Sequence, residues 1–155
     1  MKLKSIETFT TADVGFVRVT AEDGSQGWGQ VSTYHSDITC QVLHRQVAPW
    51  TLGQDTTDLD DLLDIVTERE HKFPGSYLRR AMAGLDTAIW DWRGKQQGKP
   101  AVELLGGTPG KIRAYASPMK RAINTADEAV RPKHLRDTPR VDAFKVLAAP
   151  EVGLH

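Results

Sequence analysis

The stretch from Ser76 to Gly107, SYLRRAMAGLDTAIWDWRGKQQGKPAVELLGG, constrains the fold more than any other part of the chain. Leu78, Met82, Leu85, Ile89 and Trp92 recur at steps of four and three, which stacks side chains along one face of an α-helix. Ser76 is placed to cap the start of that helix. Gly94 and Gly98 mark its end, Lys95 and Lys99 put positive charge at its C-terminal dipole, and Pro100 prevents continuation. Ala81, Ala83, Gly84 and Ala88 leave little bulk, at a propensity cost of about 1 kcal/mol for the glycine. The pattern predicts a long helix that another backbone can approach closely.

The N-terminal part reads as strands. Leu3 to Thr10 alternates imperfectly, with Leu3, Ser5, Glu7 and Phe9 on one face and Lys4, Ile6 and Thr8 on the other. Gly15 to Ala21 is a stronger strand, because Phe16, Val17, Val19 and Thr20 suit a pleated surface. Asp23-Gly24 supplies hairpin turn chemistry. Gln26 to Ser32 returns as a third strand, in which Gly27 and Gly29 around Trp28 imply a close backbone contact. Asp37 can cap a helix through Ile38, Val42, Leu43 and Val47 that Pro49 would stop, and Thr57 or Asp58 can cap another with Leu59, Leu62, Leu63 and Val66 facing inward. The expected fold is α+β: a three-stranded antiparallel meander followed by a helical layer.

After Gly107 the pattern changes to a short strand over Lys111 to Ser117, helix-like composition over Thr125 to Asp137, and an apolar strand over Val141 to Leu147. Strand, helix, strand is a parallel βαβ unit. Pro132 falls inside the candidate helix, where it would cost about 3 kcal/mol or more, and Pro139 and Pro150 interrupt further. Residues after Ser117 are therefore expected to be poorly ordered in an isolated chain. The expected division is 1–107 and 108–155.

Composition removes several function classes. Lys plus Arg equal Asp plus Glu at 20 each in 155 residues, with the basic residues scattered, which disfavours nucleic acid and anionic membrane as partners. Cys40 stands alone, so no internal disulfide framework exists and a reducing compartment fits. No apolar run approaches the roughly 20 residues of a membrane span, and the start MKLKSIETF lacks a signal-peptide apolar segment. A soluble, cytoplasmic protein is expected. His35, His44, His71, His134 and His155 lack zinc-ligand spacing. Asp55, Asp58, Asp60, Asp61 and Asp64 read as helix capping and a solvated face rather than a metal cluster. Gly106-Gly107-Thr108-Pro109-Gly110 lacks the Lys-Ser/Thr pair of a phosphate loop and reads as a linker. Asp86 and Asp91 read as structural, pairing with nearby Arg or backbone groups.

The run Ala83-Gly84-Leu85-Asp86, Ala88-Ile89-Trp90-Asp91, Gly94-Lys95, Gly98, Pro100 and Glu103-Leu104-Leu105-Gly106-Gly107 resembles the mandelate racemase and muconate lactonizing group of the enolase superfamily. The resemblance implies that residues 1–107 are an N-terminal capping domain and that residues 108–155 are a linker and an incomplete start of a TIM-type barrel, which takes about 250 residues when complete. It implies proton abstraction beside a carboxylate, with a divalent metal (Mg2+ in the complete enzyme) stabilising the enediolate, in a dehydratase or racemase acting on carboxylates or acid sugars. The family's metal ligands and opposing base belong to later barrel strands, so this chain is expected to hold no metal and to be inactive alone.

Three candidate site residues follow from the resemblance. Phe144-Lys145-Val146-Leu147 matches a Lys-x-Lys, with Lys145 at the position that helps bind the substrate carboxylate and Leu147 at the base position, where leucine cannot transfer a proton. Lys145 also reads as an ordinary strand-end surface lysine. By position, Thr11 to Val14 and Thr33 to Asp37 resemble the two substrate-selecting loops, and Tyr34 and His35 can hydrogen-bond a polyhydroxy acid. Tyr34 reads equally as a packed strand-end aromatic, and His35 as an exposed loop residue. Two other readings stay open: a non-catalytic subunit docking on a separate barrel-bearing chain, and part of a longer acid-sugar dehydratase or racemase. An exposed barrel-facing patch would favour self-association.

Overall fold

Strands β1 (Leu3–Thr10), β2 (Gly15–Ala21) and β3 (Gln26–Val31) form an antiparallel meander in the order β1-β2-β3. The computed structural model describes residues 1–117 and 143–145. The chain divides into two compact units, Met1–Pro109 and Gly110–His155. In β2 the alternation is clean: Gly15, Val17, Val19 and Ala21 are buried while Phe16, Arg18 and Thr20 face outward. In β1 it is not. Register shifts between Leu3 and Ser5, a β-bulge that adds one residue against β2 and brings both Leu3 and Ile6 into the core. The expected grouping of Leu3 with Glu7 and Phe9 on one face is therefore corrected, because the bulge resets the two-residue period.

The helical layer covers the buried face of the sheet. Helix α1 (Ser36–Val42) continues through a π-helical turn, Leu43–Val47, into α2 (Ala48–Thr51). Pro49 does not stop the helix as expected. The π-turn ends at Val47, and Pro49 falls in the first turn of a new helix, where a missing N–H leaves no bond unmade. Asp37 lies in the first turn of α1 rather than at its cap, a position held by His35. Helix α3 (Leu59–Arg69) is capped by Asp58, whose carboxylate accepts the Asp61 N–H at 3.0 Å. Leu59, Leu62 and Val66 are buried, with Leu63 packed at the edge of the core.

Helix α4 (Ser76–Gln97) runs the length that the apolar period predicts. Its start differs: Ser76 is the first helical residue, Gly75 with φ 149° takes the cap position, and no side chain caps the turn. Its end is a glycine stop, with Gly98 left-handed at φ 62°, the Lys99 N–H on the Gly94 carbonyl and the Gly98 N–H on that of Lys95. Leu78, Met82, Leu85 and Ile89 are buried in the core. The small residues let the sheet meet the helix backbone to backbone. A Cβ on Gly27 would strike the Ala88 carbonyl and Trp92, one on Gly29 would strike the Gly84 carbonyl, and one on Gly84 would come within 2.6 Å of Val31 Cγ1. Asp91 completes the seam by accepting the Trp28 N–H at 2.7 Å.

A short helix, α5 (Ala101–Leu104), follows Pro100. In the second unit, β4 (Tyr115–Ala116) pairs in parallel with β5 (Ala143–Phe144). β4 is shorter than the Lys111 to Ser117 expected, and of the expected Val141 to Leu147 only residues 143–145 are described. The helix-like segment Thr125 to Asp137, Pro132, Pro139, Pro150 and Leu147 lie outside the described residues.

Candidate functional site

Two loops meet at one end of the sheet. The link Thr11–Val14 between β1 and β2 is a tight reversal: the Thr11 N–H donates to the Val14 carbonyl at 2.8 Å, while Thr11 Oγ1 accepts the Val14 N–H at 3.2 Å. The segment from Ser32 to Ser36 joins β3 to α1. The Ser36 N–H donates to the Ala12 carbonyl at 3.0 Å, tying one loop to the other. Ser36 Oγ donates to the Ser32 carbonyl at 2.9 Å and Ser36 itself is fully buried. The Thr39 N–H and Oγ1 both donate to the His35 carbonyl, at 3.0 and 3.1 Å.

On this rim sit Tyr34 and His35, both with positive φ, 64° and 56°. Tyr34 is 64% exposed, so it is not a packed strand-end aromatic. His35 is exposed as well. The two sequence-derived candidates are thus neighbours on one outward edge. Lys145 lies in the second unit, where its N–H donates to the Ala116 carbonyl at 2.9 Å and its side chain is exposed.

Several side-chain clusters escaped the sequence reading. On the outer sheet face, Phe9 stacks on Trp28 with centroids 5.5 Å apart, and the Arg18 guanidinium lies 5.1 Å from the Phe9 ring and 5.4 Å from that of Trp28. Arg18 is bidentate to Glu7 at 2.9 and 2.7 Å, which holds the Glu7 carboxyl below its ordinary value. Glu7 and Trp28 stand directly opposite Arg18 on the two flanking strands and Phe9 is diagonal to it, neighbours that are invisible until register is known. Thr8 Oγ1 and His44 Nε2 are 2.8 Å apart, and buried Cys40 has its thiol pushed up by desolvation. A groove of about 720 Å³ runs along the C-terminal half of α4 between Trp90, Lys95, Pro100 and Leu105.

Asp91 acts as a structural group, and Asp86 lines the groove along α4. Asp91 bonds the Trp28 N–H and Lys95 Nζ, the latter at 2.6 Å. Burial raises Asp86, with a hydrogen bond from Trp90 opposing the shift. The acidic run from Asp55 is spent locally, Asp58 on its cap and Asp55 on Thr57. Among the described residues no three His, Cys, Asp or Glu side chains converge on a metal position. Those residues do not fit a magnesium ion. No described helix is long and apolar enough to cross a membrane.

The profile of the mandelate racemase / muconate lactonizing enzyme N-terminal domain matches residues 2–106. A Roseobacter denitrificans protein, provisionally described as a racemase, has a solved structure 80% identical to this chain with a TM-score of 0.89, covering 94% of this chain and 40% of its own. A magnesium complex of a mandelate racemase/muconate lactonizing protein from Paracoccus denitrificans PD1222 is 34% identical with a TM-score of 0.81, covering 92% of this chain and 41% of that one. Among curated proteins, the D-galactonate dehydratase of Pectobacterium atrosepticum is 30% identical over 118 residues, 75% of this chain and 31% of that protein. A D-galactonate dehydratase family member from Paenibacillus sp. (strain JDR-2) is 33% identical over 111 residues, 68% of this chain and 27% of the relative. The chain thus spans under a third of the curated relatives it matches and about two fifths of those solved structures. With the profile spanning more than half of its residues, the chain belongs to the mandelate racemase/muconate lactonizing group of the enolase superfamily, through that group's N-terminal domain.

Proposed function

We propose that residues 1–107 form the substrate-loop capping domain of a magnesium-dependent acid-sugar dehydratase or racemase, and that the 155-residue chain has no turnover alone. The observation that carries the reading is the rim, where two loops bonded through Ser36 and Ala12 present Tyr34 and His35 outward. A phenol and an imidazole can each donate or accept a hydrogen bond, which suits the hydroxyls of a polyhydroxy acid. Proton abstraction beside the carboxylate, and the metal that stabilises the resulting charge, fall to a barrel. In this reading the cap binds and orients the substrate and excludes water, and Lys145, at the first position of the incomplete Lys-x-Lys, has the carboxylate-binding role of the complete enzyme. The relatives named as dehydratases and a racemase, together with their greater length, support it.

The test compares two proteins on a panel of sugar acids with magnesium. One is the purified 155-residue chain. The other replaces the corresponding cap of the Roseobacter denitrificans relative with residues 1–107. No turnover by the first and turnover by the second is the expected result. Activity from the chain alone would overturn the capping role, and an inactive but folded graft would overturn the acid-sugar assignment. Unchanged substrate preference in the graft after Tyr34→Ala would remove Tyr34 from the site.

A further inference from the structure

Tyr34 and His35 occupy backbone conformations that glycine adopts without steric cost and that other residues avoid, roughly five- to thirty-fold in population for each. Packing does not recover this cost for Tyr34, which is 64% exposed. Strained residues persist where the surrounding structure over-determines them, and such places concentrate at ligand clamps and active sites. Here the surrounding structure can be named. The Ser32 carbonyl is held by Ser36 Oγ and the His35 carbonyl by Thr39. Ser36 is held from the other loop by Ala12. Beneath it there is no slack, since a Cβ on Gly15 would come within 2.7 Å of Val31 Cγ2 and 3.2 Å of Ser36 Cβ. With both ends fixed, Thr33, Tyr34 and His35 must turn the chain between them.

We propose that Ser36 is a positioning residue that locks the Thr11–Val14 link and the Thr33–His35 corner into one preorganised rim, setting Tyr34 and His35 as a fixed pair that selects among hydroxyl epimers of the substrate. The ligand class rests on the acid-sugar reading above; the lock does not. A rim already ordered before binding spends no affinity on being ordered, and a fixed pair of hydrogen-bonding groups discriminates between epimers where a mobile pair adapts to both.

The lock is tested on the 155-residue chain by nuclear magnetic resonance, because the scalar coupling between a residue's amide and α protons, and the nuclear Overhauser effect between the same two protons, report the sign of φ. Wild type shows positive φ at both Tyr34 and His35. Ser36→Ala, which removes the Oγ bond to Ser32 and leaves the Ser36 N–H on Ala12, loses it at one or both while the amides of Val17 and Val19 stay in place; retention at both would overturn the positioning role of the Ser36 side chain. Tyr34→Gly and His35→Gly supply a second measurement that tolerates a Ser36 variant failing to fold. Each lowers the unfolding equilibrium constant about two- to tenfold, relief of strain being partly offset by the entropy glycine adds to the unfolded chain. A rise in that constant would show that the side chains stabilise the corner and would overturn the strain argument.

Selection is tested in the grafted enzyme. Ser36→Ala is expected to raise KM for the preferred epimer and to shrink the kcat/KM ratio between epimers about tenfold, with kcat on the preferred epimer held within about threefold, as expected when ground-state binding is lost. An equal loss for both epimers would reduce Ser36 to a structural role. If the unmodified graft turns over no sugar acid, the acid-sugar reading and epimer selection fall together, and the coupling data still decide the lock.

Discussion

At the seam between β3 and α4, side chains have been removed so that backbones can touch; at the rim between β3 and α1, side chains have been kept where the backbone would be easier without them. Gly27, Gly29 and Gly84 meet across the seam with no room for a Cβ. Tyr34 and His35 hold positive φ on the rim with their side chains in solvent. The seam gives up conformational freedom for close contact, which is a stability device. The rim holds two polar side chains in solvent at positive φ, a costly arrangement that the proposed substrate-binding role would account for. One strand, β3, serves both, so the seam fixes the platform from which the rim departs.

The contrast breaks most readily at the seam. Gly29→Val and Gly84→Val force bulk against backbone and against Val31, and each is expected to cost at or above the upper end of the about 1–3 kcal/mol of an overpacked core. Leu85→Ala, at a fully buried position on the same helix, is expected to cost about 2–5 kcal/mol. Urea midpoints compare these with Tyr34→Ala on the rim, which should move stability by about 0.5 kcal/mol or less, as surface changes do. A seam variant as mild as the rim variant would show that the helix can shift away from the sheet and that the glycines are not required.

A smaller effect sharpens the role of Asp91. Its carboxylate accepts the Trp28 N–H at 2.7 Å on the strand that carries the seam. Asp91→Ala leaves that donor to water at a partly exposed position, and the expected cost is about 1–2 kcal/mol. Hydrogen exchange gives a local reading. The Trp28 amide should exchange faster while Val17 and Val19, on the neighbouring strand, keep their protection, and equal loss at all three would show global loosening instead.

These regions differed in how far the sequence disclosed them. The α4 face, its glycine stop and the close contact at Gly27 and Gly29 were legible because each follows from local period and residue size. The β1 bulge was not, because a bulge is a property of the pairing with β2 and leaves no mark in an eight-residue strand of mixed polarity. Pro49 misled because a proline stop and a proline in the first turn of a new helix have the same local sequence, and only the π-turn before it separates them. At the rim, Tyr34 and His35 could be placed by resemblance. Their positive φ could not be read, since nothing in Thr-Tyr-His-Ser suggests a left-handed corner and the bonds from Ser36 to Ala12 and Ser32 that close it form only in the folded chain. The Phe9–Trp28–Arg18 cluster was hidden for the same reason.

The smallest expected effect concerns two carboxyls that shift in opposite directions. Arg18 holds Glu7 below its ordinary value of 4.5, chiefly by hydrogen bonding. Its contribution is present above the unfolded value and is lost as pH falls through the lowered folded one. Glu7→Gln should therefore unfold more readily at neutral pH and converge with wild type in acid. Asp86, on α4, is raised above 3.8, first by burial and further by Asp60, against the Trp90 hydrogen bond and Arg93. Below 3.8 both folded and unfolded chains are protonated at this group and it contributes nothing to the difference. As pH rises, the unfolded chain ionises first, so a penalty grows until the raised folded value is passed and is constant above it. Asp86→Asn removes the charge and keeps an oxygen for Trp90, so its urea midpoint should exceed that of wild type at neutral pH, with the gap closing in acid. A gap that persisted below 3.8 would trace the effect to packing around Trp90 rather than to charge. No gap at any pH would mean that Arg93 and Trp90 already offset the burial of this carboxyl, placing α4 among the elements whose polar groups carry no net strain and leaving the rim as the strained part of the described cap.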